Sequence, residues 1–329
     1  MDKNLFHPVR IKDTVIPGNV FLAPLAGFTD PAFRTVCLIH GASLTFTEMV
    51  SAEALARHSE KTFKLMKRAG KEDLLGVQVF LSKAETLKRA FGEILRADPS
   101  VIDINCGCPV PKVIKTGAGS SLMKTPSEVK RIVAAAVSET DIPISVKIRS
   151  GWDNNSVNFL EVADAALQGG ASLISMHPRT RTEGFSGEPH LEHLTALKKF
   201  VSVPVIGSGN LFSPEDARTM LEKTGIDGVM FARGALGNPF IFEETIKLLQ
   251  TGEKLPLPRR EDRFSTALMQ LRLCARDKGE SAACKEMRKH MGSYIKGIPG
   301  AAALRRAIVQ ASTIDEYEDI FSSYGQDSR

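Results

Sequence analysis

The segment Asn105-Cys-Gly-Cys-Pro109 sets two thiols two residues apart at the head of a long polar loop. With a thiol pKa of ~8.5, such a side chain is mainly protonated at neutral pH and can serve as a proton donor. Two plainer readings stand beside this one. A zinc site would need further Cys or His nearby, and none follows, so no metal is expected; a structural thiol needs nothing more. Lys147 interrupts an apolar run, Val146-Lys147-Ile148-Arg149. Its ammonium is either solvated at a sheet edge or faces an anion, and a reduced flavin with its negative charge suits the second reading. Gln78, in Val-Gln-Val-Phe, is either a solvated strand residue or an amide that donates to and accepts from a heterocycle edge. His177 closes another apolar run, as a hydrogen-bonded structural residue or as an active-site group. The turns Gly207-Ser208-Gly209-Asn210 and Ala232-Arg233-Gly234 are either tight connections or a phosphate cradle of free backbone N–H groups, and Arg233 favours phosphate.

Something must bring these residues together. From Val20 to about residue 250 the sequence repeats a short apolar run, a polar or glycine-rich loop and a helical stretch. The runs fall at 20–24, 44–48, 75–80, 101–105, 143–149, 172–178, 204–209 and 227–232, and helical stretches include 83–97, 127–139, 157–168 and 214–223. Thr125-Pro126 and Ser213-Pro214 each place a cap residue before a proline at the first helical position. Runs with little alternation suit parallel strands buried on both faces. Eight such units predict an α/β fold, a (β/α)8 TIM barrel, over a doubly wound sheet, because no Gly-x-Gly-x-x-Gly opens the first unit. Barrel chemistry sits where the strands end. There the eight runs place Pro24-Leu25-Ala26-Gly27, Glu48, Gln78, Asn105 with Cys108, Lys147 with Arg149, His177 with Arg179, the 207–210 turn, and Arg233-Gly234.

After residue 250 the texture changes. A charged, proline-broken linker (251–260) leads to helical patterns at 261–278, 282–296, 301–312 and 315–323. We expect residues 1–250 to form the barrel and 261–329 a small all-α C-terminal domain. On the second of these helices Ala283, Cys284, Met287, Met291, Tyr294 and Ile295 make an apolar stripe. Lys285, Arg288, Lys289 and Lys296 share the other face, with Arg305 and Arg306 near, which suits phosphates of a nucleic acid or a merely solvated surface. The net charge of +5 permits such a partner without demanding it. Hydrophobic and charged contents of 43% and 25% are those of a globular protein. No apolar run approaches the ~20 residues of a membrane span, and residues 1–19 lack the apolar core of a secretory signal, so a cytoplasmic location is expected. Five cysteines, an odd number, do not make a disulfide framework.

Taken in order, APLAGFTD (23–30), GVQVF (76–80), DINCGCP (103–109), KVIKTGAGSSLM (112–123), SVKIRSGW (145–152), HPRTR (177–181) and VIGSGN (205–210) resemble the tRNA-dihydrouridine synthase family. RKHMGSYIKGIPGA (288–301) is similar to that family's helical tail, and the likeness runs from about residue 5 to 320, nearest to its bacterial branch. The resemblance implies reduction of the C5–C6 double bond of selected tRNA uridines, with FMN as cofactor and NADPH, or NADH in its place, as hydride source. It implies hydride transfer from flavin N5 to C6 and a proton from Cys108 to C5. FMN contacts fall on Pro24, Leu25, Ala26, Gln78, Lys147, Ser208, Gly209, Asn210, Ala232 and Arg233. His177 falls near flavin and substrate and Asn105 on the target base; Arg179, from its place at a strand end, and Lys285, Arg288 and Lys289, from the basic stripe, are the further expected tRNA contacts. Departures from the family pattern are Cys106 for a common methionine, Ser208 and Asn210 within an Asn-Gly-Asp turn, Ala232 for glycine, and Pro178. Oxidation of Cys106 with Cys108 to a disulfide would silence the donor. We expect a monomer without an obligate protein partner. A flavin barrel acting on a free pyrimidine, and a non-catalytic RNA-binding protein, are the rival readings.

Overall fold

The structure, a computed structural model, describes residues 4–326, so the outermost residues of the expected domain limits, 1–3 and 327–329, lie outside the described residues. Each of the eight apolar runs forms a strand of one parallel ring: β3 (Val20–Leu22), β4 (Leu44–Phe46), β6 (Leu75–Phe80), β7 (Val101–Asn105), β8 (Ile144–Arg149), β9 (Leu173–His177), β10 (Val205–Gly207) and β11 (Gly228–Phe231). Pairing of β11 with β3, and of β4 with β6, closes the ring and rules out the doubly wound sheet. Strands β7 and β9 are buried at every position, because one face meets the outer helices and the other the barrel interior.

The helices α1 (Pro31–Ile39), α2 (Ala52–Leu55), α3 (Glu60–Phe63), α4 (Ala84–Leu95), α5 (Pro111–Ile114), α6 (Pro126–Val137), α7 (Phe159–Gln168), α8 (Leu191–Phe200), α9 (Pro214–Thr224) and α10 (Ile241–Thr251) follow their strands. The two expected caps differ. Ser213 accepts from the Asp216 N–H at 3.2 Å while the Asp216 carboxylate accepts from the Ser213 N–H at 2.9 Å, a complete capping box. Thr125 makes no side-chain cap bond, so α6 starts on the fixed φ of Pro126 alone.

Two features outside the expected pattern shape the barrel's ends. Residues 9–16 form an antiparallel hairpin, β1 (Val9–Ile11) and β2 (Thr14–Ile16), whose Val9, Ile11 and Ile16 pack with Phe21, Leu44, Val101, Leu173 and Ile206. These apolar side chains fill the end of the ring away from the loops that follow the strands. The second strand is broken. After Phe46 the Thr47 N–H donates to the Gly76 carbonyl, the Thr47 hydroxyl accepts from the Gln78 N–H, and pairing resumes at β5 (Val50–Ser51). This interruption, a local bulge, turns Glu48 and Met49 toward the mouth.

Beyond α10, residues 252–259 are irregular and four helices follow: α11 (Arg260–Lys278), α12 (Glu280–Tyr294), α13 (Ala301–Gln310) and α14 (Ile314–Gln326). The apolar stripe of α12 forms their shared core, and Ala32 of α1 joins it from the barrel side. Around that contact Lys278 reaches Asp30 at 2.9 Å, Lys67 pairs with Asp277, and the His290 ring lies 5.3 and 5.2 Å from the rings of Phe28 and Phe33. Among the described residues no helix is long and apolar enough to cross a membrane.

Phe46 enters the barrel over Gly76, where an added Cβ would stand 2.3 Å from the Phe46 ring. Gly76→Ala is therefore expected to lower stability by about 1–3 kcal/mol through overpacking, read as a lower denaturant midpoint.

Candidate active site

Toward the carboxyl ends of the strands the interior turns from apolar to polar, and a cavity of about 240 Å³ opens there. Pro24, Leu25 and Ala26 line it from the loop after β3, Gln78 from β6, Asn105 and Cys108 from the end of β7, and Lys147 from β8. His177, the 208–210 turn, Ala232 and Arg233 complete the wall. Every residue expected to catalyse or to hold a cofactor thus faces one space, as does Asn105. The cavity also takes in residues that the sequence left without a role: Met49, Arg149, Phe185 and Phe212.

The parallel register explains the convergence. Gln78 is the Cα partner of Asp103, Asp103 of Ser145, Asn105 of Lys147, and Arg149 of His177, so their side chains stand shoulder to shoulder on the inner wall. Buried polar groups must satisfy one another there. Gln78 donates through Nε2 to Asp103 at 2.7 Å and accepts through Oε1 from Asn105 Nδ2 at 2.8 Å. Asn105 Oδ1 accepts from the Gly107 and Cys108 N–H groups at 3.2 and 2.9 Å, and its Nδ2 also approaches the Met49 sulfur at 3.2 Å. An amide has two donors and two acceptor sites. Gln78 therefore keeps one N–H and one lone pair for a ligand, whereas a ligand at Asn105 displaces only its weak contact to sulfur.

The two cysteines occupy different surroundings. Cys106 is fully buried in the main core, which pushes its thiol well above the usual range, while Cys108 packs with Val113 and Ala118 beside Met49 and Phe80. Burial also raises the Cys108 thiol, against the pull of the Val110 N–H and of the cations Arg149 and Lys147. Its proton is accordingly retained at neutral pH. Desolvation, then the neighbouring Arg149, lowers half-buried Lys147 to about 8. Arg149 donates to the Gly107 carbonyl at 2.8 Å and to the Thr180 and Gly184 carbonyls at 3.0 and 2.9 Å, tying the Cys108 loop to the loop after β9.

His177 is buried, and burial together with Arg149, Lys147, Arg179 and Arg233 pushes it down to about 2. Arg179 Nη1 donates to Nε2 at 3.0 Å, so the neutral ring carries its proton on Nδ1. Arg179 itself is fully buried, does not line the cavity, and grips Asn210 Oδ1 at 2.9 Å and the Gly187 carbonyl. It positions His177 and the 208–210 turn from behind.

That turn is held in left-handed geometry. Gly209 has φ +117°, and an added Cβ would meet the His177 ring at 2.8 Å; Asn210 takes φ +51° without being glycine. The Asn210 side chain is engaged by Arg179 and Glu188, and the Ser208 hydroxyl by the Met176 carbonyl at 3.5 Å. Among the described residues nothing accepts from the N–H groups of Gly209, Asn210, Arg233 or Gly234. With the Ser208 and Asn210 side chains engaged, these backbone N–H groups are the free donors of the two turns. The exposed Arg233 guanidinium lies 4.7 Å from the Phe185 ring centre and 5.4 Å from that of Phe212.

In the helical region the basic residues divide. Lys285 and Lys289 are exposed on α12, and Lys289 stands 5.2 Å over the Phe28 ring. Arg288 departs from the expected stripe: half-buried, it donates to the Ala311 carbonyl at 3.3 Å and packs into the bundle. Lys296 lies past the end of the helix at Tyr294. Lys61 and Lys64, which the sequence reading passed over, line a cleft with Lys289, and among the described residues none of the three forms an ion pair.

Compared with known proteins, the chain matches the family model "Dihydrouridine synthase (Dus)" over residues 21–325. The chain belongs to this family. Its members are flavin-dependent TIM-barrel enzymes that reduce uridine in tRNA, and so does this synthase. It is similar to a probable tRNA-dihydrouridine synthase of Treponema pallidum, 45% identical over 326 residues and 95% of both chains. With tRNA-dihydrouridine synthase B of Pseudomonas putida it shares 37% identity over 90% of this chain and 88% of that one. Among solved structures an old yellow enzyme homologue from Zymomonas mobilis superposes with a TM-score of 0.54 at 12% identity, covering 79% of this chain and 96% of that one. At that identity the likeness concerns the fold.

For the His177 ring we expect an uncharged state with the proton on Nδ1 from pH 8 down to pH ~4, well above its depressed pKa. A nitrogen-15 NMR titration of the ring checks this; protonation near the ordinary value of ~6.5 would contradict it.

Proposed function

We propose that this synthase holds FMN at the barrel mouth, draws hydride from NADPH, and reduces the C5–C6 double bond of selected tRNA uridines, with Cys108 giving the proton to C5. The observation that carries the reading is the convergence on one cavity of a protonated thiol, a half-buried cation and a set of unpaired backbone N–H groups.

These residues fit a flavin mononucleotide. Gln78 has one donor and one acceptor left for the edge of a pyrimidine ring. Lys147 offers positive charge inside a low-dielectric wall, where it favours an anionic ring most strongly. The N–H groups at 209–210 and 233–234, with Arg233 beside them, suit a phosphate. When bound, the flavin supplies the hydride that its N5 delivers to C6 of uracil. The chain's own residues do the rest: Pro24, Leu25 and Ala26 back the ring, Cys108 holds a proton at Sγ, and neutral His177 presents Nδ1–H. Asn105 turns toward the base by giving up Met49. NADPH, with NADH as the alternative donor, would supply the hydride through the same cavity mouth. The uridine must be splayed out of the tRNA to reach this depth.

Residues 1–250 act as the catalytic barrel, 251–260 as linker and 261–329 as the tRNA-binding unit of a cytoplasmic monomer. Lys285 and Lys289 provide its phosphate contacts together with Lys61 and Lys64 across the cleft.

Cys108→Ala is expected to keep bound flavin and NADPH oxidation while dihydrouridine formation falls by at least ~100-fold. Unchanged tRNA turnover would remove Cys108 from the role. Reversing charge at Lys285 and Lys289 together should weaken tRNA binding and reduce the salt slope by up to ~2 without altering the flavin spectrum. An unaltered affinity and slope would detach α12 from the RNA.

A further inference from the structure

Asp103 has no part in the roles assigned so far, yet it is buried inside the barrel beneath the cavity. Its surroundings can be followed from the opposite end of a hydrogen-bonded chain. The Gly107 and Cys108 N–H groups can only donate, and both point at Asn105 Oδ1. That direction commits Asn105 Nδ2 to the interior, where Gln78 Oε1 accepts it at 2.8 Å. Gln78 must then turn Nε2 toward Asp103, whose Oδ2 accepts it at 2.7 Å, while Oδ1 accepts from the Ser145 hydroxyl at 2.5 Å. Every bond has one sense, set by backbone donors at one end and an acceptor at the other. Strand pairing places Gln78, Asp103 and Ser145 side by side, so no water or loop intervenes between them.

The consequence concerns the ligands. If nothing accepted at position 103, Gln78 Nε2 would lose its buried partner, and only the bond from Asn105 Nδ2 would oppose a half-turn of the Gln78 amide. Its NH2 would then oppose the NH2 of Asn105, and the spare lone pair and N–H that Gln78 shows to the cavity would exchange places. After such a flip Asn105 Nδ2 would lose its interior partner, leaving the amide whose Oδ1 holds the bend of Cys108 anchored on one side only.

We propose that Asp103 is a positioning residue that acts by acceptance: it terminates the Gln78–Asn105 amide chain and so fixes both the edge offered to the flavin and the placement of the Cys108 thiol. This rests on the reading of Gln78 as flavin contact and Cys108 as proton donor given above.

Two substitutions in the full-length, flavin-loaded protein separate the explanations. Asp103→Asn keeps the shape and an acceptor oxygen but removes the charge; Asp103→Leu keeps the branched outline, with bulkier methyl groups in place of the oxygens, and accepts nothing. The readouts are kcat and KM with tRNA, the flavin absorption spectrum, and the rate at which iodoacetamide alkylates Cys108, followed on its peptide by mass spectrometry. Asp103→Asn is expected to stay within about threefold of the parent in every rate. For Asp103→Leu, kcat should fall by about tenfold or more with KM for tRNA unchanged, the Cys108 alkylation rate should change, and the flavin band should shift. Parent-like behaviour of the leucine variant would reduce Asp103 to packing, and an asparagine variant as poor as leucine would make charge the cause; either overturns the proposal. Should the leucine variant fail to fold, the asparagine variant still decides, since a tenfold loss there is incompatible with acceptance. Should the unaltered protein reduce no tRNA, the functional reading fails, and alkylation and the flavin spectrum still test Asp103.

Discussion

Closing a parallel sheet on itself forces the inward side chains of neighbouring strands into fixed lateral contact, and at the wide end of this ring those side chains are polar. Each must find its partner within the wall, because the helices cover the outside and the hairpin at 9–16 fills the far end. Register decides which neighbours meet: Gln78 and Ser145 flank Asp103 and bond it, while Asn105 stands beside Lys147, and Arg149 beside His177, as register neighbours. A one-residue slip in any strand would send its polar group into the apolar layer under the helices. Fold and site are therefore one arrangement here, and the site is as rigid as the ladder that carries it.

The same crowding sets the protonation states. Burial first, and then Arg149, Lys147, Arg179 and Arg233, keep the His177 ring uncharged at neutral pH. Burial acts on Cys108 in the direction of the neutral thiol, and the two nearest cations only moderate it. A histidine that stays neutral is a weak acid at its Nδ1–H, whereas the Cys108 thiol and the Lys147 ammonium both carry a proton at the mouth at neutral pH. Lys147, brought down to about 8, retains most of its charge at pH 7 while standing close enough to neutrality to respond to an anionic ligand. Division of labour among these three follows from where burial and charge coincide.

Residues with unusual chemistry in apolar runs were the legible part of the sequence. Gln78 and Lys147 stood out because each interrupts a run that has no reason to be polar, and both line the cavity. Asp103 sits in such a run too, in Val-Ile-Asp-Ile-Asn, but its partners lie on two other strands and no spacing in one strand reveals them. Residues 9–16 were unreadable for a related reason. Three-residue strands carry too little pattern, and their stability comes from plugging a ring that exists only once eight distant runs have paired. Arg288 was misplaced by periodicity, since helical spacing fixes the direction of Cβ while a long side chain can turn back to a carbonyl on the neighbouring helix. Thr125 matched a cap motif whose bond is absent, because its backbone, at φ −137° and ψ 72°, departs from the usual cap geometry.

Docking of the helical bundle links the two ends of the proposed reaction. Its contact with the barrel includes Ala32, Asp30 and Phe28, which belong to the loop and helix that follow the cavity-lining residues Pro24 to Ala26. Glu48, from the broken second strand, accepts from the Gly27 N–H and so holds the same loop from its other side. Lys289 ends within 3.9 Å of where a Cβ on Gly27 would lie. An RNA phosphate gripped by Lys289 would thus stand over the loop that backs the flavin, at a distance set by covalent and packed structure rather than by a flexible tether. The linker at 252–259 need not be rigid for this to hold, because the alignment comes from the α1 contact and not from the connection.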